Sequence, residues 1–374
     1  MTRCLIPEPC GQTVEPNYAE ILVANTWHCN LNCSYCFVGH HLDHPDEAMR
    51  PDLASRVVDA LDQGLISVEQ ICIHFYGGEP LLNLAAMRAM VKRAGQKTPG
   101  RFSFALTTNG THATPEVFEL LQAGSFYVIL SIDGPAPVHD ACRRTKTGQP
   151  SHARVMDFLE KLKSRTDCQV WGSAVIRSGW RLAQASDYLQ TLPVDAVKAQ
   201  AIRVPDNSPL ALSPLERRRY LEDLEAAGSR VIADLEAGRR PQDSRFSSRI
   251  FQLLTRTPRQ RYCGAGISEL GITPDGQVLS CLLLDAHKNR LGHIDEDPSI
   301  WIKAGIQWSR ARNPAQACGD CFALPLCGGG CPAISPICGD SECEIVRKNC
   351  DIAHKIFRHF QDRPEALLGL AGIF

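Results

Sequence analysis

The sequence predicts an α/β protein in which a partial (β/α)6 barrel of the TIM type is followed by a small, cysteine-rich domain. The first observation is a regular alternation of strand-like and helix-like segments from about residue 18 to 200, which is typical of a parallel sheet with crossover helices. The second is that polar and glycine-rich motifs follow these strands. The third is the distribution of the 17 cysteines, nine of which lie between Cys263 and Cys350.

The alternation defines six strand–helix units. The predicted strands are Tyr18–Asn25, Gln70–Tyr76, Phe102–Thr108, Tyr127–Ile132, Gln169–Ile176 and Val194–Gln200. The predicted helices between them are Asp52–Leu61, Leu84–Ala94, Pro115–Leu121, Ala153–Lys163 and Arg181–Leu189. A further helix is expected from Ser213, with Pro214 at its first position, to about Ala237, because Gly238 ends it. The polar stretch Arg239–Arg249 then precedes the cysteine-rich unit.

These features divide the chain into five segments. They are an N-terminal extension (1–17), the barrel (18–204), a helical bridge (205–258), the cysteine-rich domain (259–352) and a C-terminal helical tail (353–374). The carboxyl ends of parallel strands meet at one edge of such a fold. We therefore expect the motifs that follow the strands to converge on one rim of the barrel.

Charge and hydropathy exclude several classes of protein. The net charge of −1 argues against a nucleic-acid binder. No apolar run of about 18 residues suggests a membrane span, and Met1–Pro16 lacks the apolar core of a signal peptide. We expect a cytoplasmic protein, in which clustered cysteines indicate metal ligation rather than a disulfide frame.

Three cysteines directly after the first strand, Cys29, Cys33 and Cys36, have the spacing C-x3-C-x2-C. A structural zinc site uses four ligands, and a 4Fe-4S cluster also has four, so three cysteines leave one iron open. With the aromatic Tyr35 before the third cysteine, the stretch resembles the signature of the radical S-adenosylmethionine (SAM) enzymes, in which the open iron chelates SAM. A zinc knuckle or a disulfide fragment is the alternative for these cysteines alone.

The resemblance extends to the other strand ends. The turn Gly77-Gly78-Glu79-Pro80 resembles the one that holds the amino group of SAM, since glycines allow close approach and a carboxylate accepts bonds from an ammonium group. Ser131 and Asp133 resemble positions near the ribose and carboxylate of SAM. The residues that the resemblance implies for SAM binding are Gly77, Gly78, Glu79, Asn109, Ser131, Asp133 and Arg143. Ordinary turn chemistry and solvated arginines are the alternative.

The C-terminal cysteines resemble the SPASM domain, a seven-cysteine module of peptide-modifying radical SAM enzymes. The run reads Cys263, then Gly276 separated by four residues from Cys281, then Cys318-x2-Cys321-x5-Cys327-x3-Cys331, and finally Cys350. The resemblance implies two auxiliary 4Fe-4S clusters, and three clusters in all. Cys318, Cys321, Cys327 and Cys350 would ligate one auxiliary cluster, and Cys263, Cys281 and Cys331 the other. A pair of zinc ribbons is the alternative.

Two departures from the anaerobic sulfatase-maturating members concern the substrate. Those members carry a further cysteine a few residues after the first SPASM cysteine, where this chain has none, so the first auxiliary cluster lacks an obvious fourth ligand. They also place a catalytic aspartate directly after the cysteine that matches Cys281. Here Leu282 follows, and Asp285, three residues further on, is a weak candidate for the base.

The resemblance therefore implies a radical SAM/SPASM oxidoreductase that matures a ribosomally made peptide by forming a carbon–carbon or thioether cross-link. Formylglycine formation on a sulfatase and peptide epimerisation are the other enzymatic alternatives, and a non-catalytic iron–sulfur or zinc carrier or scaffold is the alternative of another class. Expected partners are the precursor peptide, a flavodoxin- or ferredoxin-type electron donor, and either a separate peptide-recognition protein or the barrel mouth itself for recognition of the peptide. A separate recognition protein is considered because about 28 residues before Cys29 are too few for an independent recognition domain.

Overall fold

Nine strands form one continuous sheet in the structure, a computed structural model that describes residues 17–36, 38, 47–284, 286–312 and 318–371. They are β1 (Tyr18–Thr26), β2 (Gln70–Gly77), β3 (Phe102–Thr108), β4 (Tyr127–Ser131), β5 (Gln169–Ile176), β6 (Ala196–Ala201), β7 (Glu269–Ile272), β8 (Gln277–Leu279) and β9 (Arg290–His293). The strand order is β6-β5-β4-β3-β2-β1-β7-β8-β9. Strands β1 to β7 are parallel, and β8 and β9 complete an antiparallel edge.

The helices of the described residues cover the sheet and extend beyond it. They are α1 (Pro51–Gly64), α2 (Leu84–Ala94), α3 (Pro115–Ala123), α4 (Ala136–Cys142), α5 (His152–Arg165), α6 (Leu182–Gln190), α7 (Pro214–Glu236), α8 (Ser247–Thr255), α9 (Ala286–Asn289), α10 (Pro298–Arg310), α11 (Leu324–Cys327), α12 (Ser335–His359) and α13 (Leu368–Ala371). Short 3-10 helices lie at Pro80–Asn83 and Pro364–Leu367.

The central strands are apolar because both of their faces are covered. Ile21, Ile71, Ile73 and Phe75 are fully buried, as expected for parallel strands that lie between packed layers. Helix α1 packs on α2 and α10, and it contributes the buried apolar residues Leu53, Ala54, Val57, Val58, Ala60 and Leu61. The α/β fold with a parallel sheet is therefore confirmed.

Most predicted elements agree with the structure to within two residues, and the helix from Ser213 has the expected cap. The Ser213 hydroxyl accepts from the amide of Glu216, whose carboxylate accepts from the Ser213 amide, so both orphan donors are satisfied. Strand β6 begins two residues later than predicted, because the Val194 amide donates to the Leu192 carbonyl oxygen in a turn. Helix α4 was not predicted, and α8 begins inside the polar stretch Arg239–Arg249.

The cysteine-rich segment is joined to the barrel through the sheet. Glu20 on β1 lies beside Glu269 on β7, and this pairing continues to Val23 and Ile272. Helix α12, which bends at Gly339, packs against α7 and α8. Strand β7, which lies between Cys263 and Cys281 in the sequence, is thereby held beside β1, the strand that leads into the Cys29 loop. The division of the chain at residue 259 stays a prediction.

Of the helices in the described part of the chain, none combines the length and the apolar character needed to cross a lipid bilayer.

Candidate active site

The loop after β1 gathers the three N-terminal cysteines and docks on the chain near Cys142. The amides of Asn32 and Ser34 donate to the carbonyl oxygens of Arg144 (2.8 Å) and Cys142 (3.1 Å). Burial, together with the neighbouring charges of Glu79, Cys33 and Cys36, raises the pKa of Cys29 to about 12. Burial likewise raises the pKa of Cys33, so these adjoining thiols are suited to a cationic group that stabilises their thiolates.

The glycine-rich turn after β2 packs directly against this loop. The Gly78 amide donates to Thr26 O (3.0 Å) and the Glu79 amide to His28 O (2.8 Å). Gly77 has a φ of 112°, which favours glycine, and a Cβ added at Gly78 would lie 2.2 Å from His28 O. The close approach of two backbones therefore explains the second glycine of the motif.

Replacing Gly78 with alanine is expected to displace the cysteine loop. The added methyl group has no space beside the carbonyl oxygens of Trp27 and His28, and such overpacking costs about 1–3 kcal/mol of stability. The measurements are the unfolding midpoint and the binding of SAM to the reconstituted chain. Gly95→Ala is the matched control, because its new methyl group would meet only atoms at 3.5 Å or beyond. Equal effects of the two substitutions would contradict this explanation.

Glu79 is a buried carboxylate that three donors orient. Its Oε1 accepts from the Leu81 amide (3.1 Å) and the Thr108 hydroxyl (2.7 Å), and its Oε2 accepts from the Asn109 amide (2.8 Å). Burial raises the pKa of Glu79 to about 7, although these three hydrogen bonds oppose the shift. A cationic ligand at this point would restore the carboxylate at neutral pH.

Asn109 links the end of β3 to the cysteine loop. Its Nδ2 lies 3.7 Å from the Cys29 sulfur and donates to the Asn30 side-chain oxygen at 3.0 Å. Its side-chain oxygen accepts from the amide and the hydroxyl of Thr111. Asn109 thus donates toward the sulfur of a predicted cluster ligand, an interaction that tunes such ligands.

The residues after β4 form a second polar group at the same rim. One carboxylate oxygen of Asp133 accepts from the Val175 amide (3.1 Å). The other accepts from Arg143 Nε (3.2 Å) and from the Tyr35 hydroxyl. The Arg143 guanidinium also lies 5.3 Å from the centre of the Tyr35 ring. Asp133 is therefore engaged in positioning Arg143 and the tyrosine between Cys33 and Cys36, while the predicted contact Ser131 lies half-buried at the end of β4.

Asp133→Asn is expected to destabilise the fold by about 3 kcal/mol, because it leaves the buried Arg143 guanidinium without its counter-charge. Asp52→Asn removes an exposed partner of Arg56 and serves as the control, with no measurable change expected. Urea unfolding of both variants measures the difference. If the Asp133→Asn variant is as stable as the parent, the ion pair between Asp133 and Arg143 is not needed for the stability of the fold.

The C-terminal cysteines lie in two neighbourhoods. Burial raises the pKa of Cys263 to about 12, with further contributions from Glu269, Cys331 and Cys281. Burial likewise raises the pKa of Cys350, and Cys327 and Cys321 add to the shift. The structure thus places Cys263, Cys281 and Cys331 near one another, and Cys350 near Cys321 and Cys327. Among the described residues, no three His, Cys, Asp or Glu side chains converge closely enough for one metal ion, whereas a four-iron cluster holds its ligands further apart.

Two further cysteines adjoin these sets. Cys338 packs against Cys331. The pKa of Cys343, raised mainly by burial, is raised further by Cys318 and Cys327. Helix α12 carries Cys343 and Cys350 seven residues apart, on the same face of two successive turns. Sequence spacing alone does not show which of the two completes the second set.

Several residues between the two regions were not found from the sequence. Tyr76, half-buried at the end of β2, has Cys36 and Cys281 among its charged neighbours, so it stands between the SAM motif and the first auxiliary set. Arg203 lies 3.9 Å from Glu342 and within electrostatic reach of Cys331. Tyr76 directly precedes the glycine motif, and that position was the available signal. Asp285, the weak candidate for a base, lies outside the described residues.

Comparison with known proteins decides the class of the site. Residues 26–180, which include the cysteine loop, Glu79, Asn109, Asp133 and Arg143, match the model of the radical SAM superfamily. Residues 26–180 are therefore similar to a radical SAM domain. This domain implies a 4Fe-4S cluster and SAM, and together with the curated relatives it indicates an enzyme.

The curated relatives include anaerobic sulfatase-maturating enzymes of the serine type. The one from Bacteroides thetaiotaomicron is 31% identical over 36% of this chain and 34% of its own length. The one from Klebsiella aerogenes is 25% identical over 82% and 77%. A radical SAM cyclopropyl synthase, TigE from Paramaledivibacter caminithermalis, is 26% identical over 42% and 35%. The chain spans about a third of the length of the Bacteroides enzyme and of TigE.

Solved structures have the same fold as this chain over most of the chain's length. A structure described as native anSMEcpe with bound AdoMet and Kp18Cys peptide superposes with a TM-score of 0.76 at 19% identity, over 92% of this chain and 99% of the other. A second, SuiB from Streptococcus suis bound to the precursor peptide SuiA, has a TM-score of 0.61 at 14% identity, over 85% and 73%. The partial barrel with a C-terminal cysteine-rich region is confirmed as the fold.

Proposed function

We propose that this chain is a radical SAM/SPASM maturase that cross-links a ribosomally made peptide. The observation that carries the proposal is the convergence of Cys29, Cys33 and Cys36 with Glu79 at one rim, next to the first auxiliary set. A vacant position on an iron, a carboxylate for the SAM ammonium and a nearby electron acceptor are the parts that such a reaction requires.

Each residue of the rim has a defined task in this proposal. Cys29, Cys33 and Cys36 would hold a 4Fe-4S cluster, which with SAM supplies a 5′-deoxyadenosyl radical that removes hydrogen from an unactivated carbon. Glu79 would accept the SAM ammonium, and Asn109 donates toward the Cys29 sulfur. Arg143, held by Asp133, would face the carboxylate of SAM. The buried loop and the packed glycine turn would exclude water from the radical.

The C-terminal sets would hold two auxiliary 4Fe-4S clusters, one on Cys263, Cys281 and Cys331 and one on Cys318, Cys321, Cys327 and Cys350. Tyr76 lies between Cys36 and Cys281, so the first set is placed to receive the electron that remains after a bond has formed. Iron–sulfur clusters suit this task, since burial and hydrogen bonds tune their potential.

The choice of a cross-link over formylglycine formation depends on the residue after Cys281. Leu282 is buried there and its backbone lies close to Gly271, so it offers no base at the position that the sulfatase maturases use. A cross-link also releases one proton, from the attacking group of the peptide, but the acceptor of that proton need not stand directly after Cys281. The cyclopropyl synthase TigE and the SuiB complex with its precursor peptide are relatives in keeping with peptide chemistry.

Formylglycine formation is the second candidate, because sulfatase-maturating relatives match about four fifths of the chain. It would require another base near Cys281, because Leu282, which follows this cysteine, cannot serve as one. Epimerisation and a non-catalytic carrier are the remaining alternatives.

The test is anaerobic reconstitution of the full chain with SAM, a reductant and two peptides, the short peptide encoded beside this gene and a sulfatase peptide. Mass spectrometry of the products distinguishes the three candidate reactions. A loss of two hydrogens from the gene-neighbour peptide supports the cross-link. Formylglycine on the sulfatase peptide supports the second candidate, and deuterium uptake without a mass change in ordinary water supports epimerisation. Failure to form 5′-deoxyadenosine under any condition would reject all three.

The proposed partners follow from the same chemistry. The precursor peptide is the substrate, and a flavodoxin or ferredoxin would supply the electron. Whether a separate recognition protein presents the peptide is tested by a pull-down with the chain alone. Tight binding of the full-length precursor by the isolated chain would make such a protein unnecessary. We place the reaction in the cytoplasm, where low-potential electron donors are available.

A further inference from the structure

The segment from Cys263 to Glu269 turns back on itself and brings a carboxylate beside the first auxiliary cysteine. The amides of Ser268 and Glu269 both donate to Gly264 O at 2.9 Å, and the Gly266 amide donates to Glu269 O at 2.9 Å. Oε1 of Glu269 accepts from the Gly264 amide at 3.2 Å. The carboxylate is close enough to the Cys263 thiol to accept a hydrogen bond. The turn therefore fixes Glu269 next to Cys263.

Glu269 also adjoins a second cysteine of the same set. Burial raises the pKa of the Cys281 thiol, and the charges of Cys331 and Glu269 are among the causes that raise it further. Glu269 thus lies near both Cys263 and Cys281, and Cys331 adjoins both of these cysteines. One carboxylate and three thiols from separate parts of the chain share this neighbourhood.

This carboxylate has no cationic partner that would explain its position. Within the described part of the chain, no lysine or arginine forms an ion pair with Glu269. Arg259, whose charge reaches Glu269, donates instead to the Tyr262 carbonyl oxygen at 2.6 Å. Glu20, its neighbour in the sheet, is a second carboxylate, and it is engaged by His74 at 2.6 Å. Placing a half-buried carboxylate beside another acid and two thiols is costly unless a cation joins them.

Cys338 is the competing residue. It is buried and packs against Cys331, and sulfur is the usual donor to iron–sulfur clusters. However, its thiol is directed to the Val204 carbonyl oxygen at 3.6 Å. Glu269 adjoins two cysteines of the set, and its carboxylate is within hydrogen-bonding reach of one of them, Cys263, so position favours the carboxylate.

We propose that Glu269 is the fourth protein ligand of the first auxiliary cluster, completing the set of Cys263, Cys281 and Cys331. This inference rests on the proposed function, because it presupposes that the cluster is present. A carboxylate is a harder ligand than a thiolate, so it would give this cluster a reduction potential different from that of the all-cysteine second cluster. A closed set of four ligands would also mean that the substrate does not bind this cluster.

The test uses the full chain, loaded anaerobically with iron and sulfide, and four variants. Glu269→Gln removes the anionic ligand with little change in shape, and Glu269→Cys replaces it with a thiolate. Glu20→Gln changes the neighbouring carboxylate in the sheet, and Cys338→Ala removes the competing donor. The readouts are iron and sulfide content and the EPR and Mössbauer spectra, none of which requires turnover.

We expect the parent chain to hold about twelve irons, as three four-iron clusters. Glu269→Gln is expected to lose about one iron and to show a three-iron signal after oxidation. Glu269→Cys should keep the full content with a changed spectrum, and Glu20→Gln and Cys338→Ala should match the parent. A parent-like Glu269→Gln, or a three-iron signal in Cys338→Ala, would overturn the assignment. A parent chain with only about four irons would instead reject the auxiliary clusters themselves.

Discussion

Alanine at Cys29, Cys33 or Cys36 is expected to abolish the formation of 5′-deoxyadenosine and to remove about four of about twelve irons from the reconstituted chain. Each of these thiols adjoins the other two on one loop, and two thiolates do not hold a four-iron cluster with a position open for SAM. Chromatography of the products after reduction with SAM measures the first effect, and iron analysis measures the second.

The matched control for this prediction is Cys168→Ala. Cys168 is buried, but its thiol donates to the Leu121 carbonyl oxygen (3.5 Å) far from the rim. This variant should keep its iron and its deoxyadenosine, with at most a modest loss of stability from the small cavity. Deoxyadenosine formed at the parent rate by any of the three loop variants would show that the cluster is bound elsewhere.

The affinity for SAM is expected to depend on pH through Glu79. Burial holds the pKa of this carboxyl at about 7, so the residue is mostly protonated below that pH and mostly ionised above it. Only the ionised form attracts an ammonium group. SAM should therefore bind more tightly to the reconstituted enzyme at pH 8 than at pH 6. Equilibrium binding over this range measures the change.

Glu79→Gln is expected to weaken SAM binding by about ten- to a hundredfold at pH 8, which corresponds to the loss of one charge-assisted hydrogen bond. The pH dependence should disappear with it. Glu116→Gln, an exposed acid in the first turn of α3, is the control and should leave the binding curve unchanged. A pH dependence that persists in Glu79→Gln would assign it to another group.

The same carboxyl should make the cluster-free chain less stable as the pH rises. Its folded pKa of about 7 lies above its usual value of 4.5, so the folded chain keeps a proton that the unfolded chain releases between these values. The contribution of Glu79 to the free energy of unfolding is full below pH 4.5. It decreases by about 3 kcal/mol in all as the pH rises from 4.5 through about 7. Denaturant unfolding at several pH values, with Glu79→Gln for comparison, measures this slope.

Much of the fold could be predicted from the sequence because the barrel is made of local patterns. Strands Phe102–Thr108 and Gln169–Ile176 and helix Leu84–Ala94 were predicted at the bounds that the structure shows. Apolar runs, helix starts and glycine turns all act over a few residues, so they can be read without knowing the partners. Helix α4 was missed because prolines at 135 and 137 mark a turn as readily as the start of a helix.

The SAM motif was predictable for a different reason. Its three cysteines lie within eight residues, and the glycine turn and Asn109 each follow a strand, so spacing and strand order together place them on one rim. The tasks of Asp133 and Tyr35 were not predictable. Their hydrogen bond joins residues 98 positions apart, and no local pattern specifies such a pair.

The sequence by itself determined the class of chemistry, because the donor atoms, their spacing and the turn residues are properties of short segments. Only the tertiary structure decided what surrounds each cysteine set. It places β7 beside β1, Tyr76 between Cys36 and Cys281, and the Glu269 carboxylate beside Cys263. These neighbours come from distant parts of the chain, and packing of the sheet and of α12, not sequence spacing, brings them together.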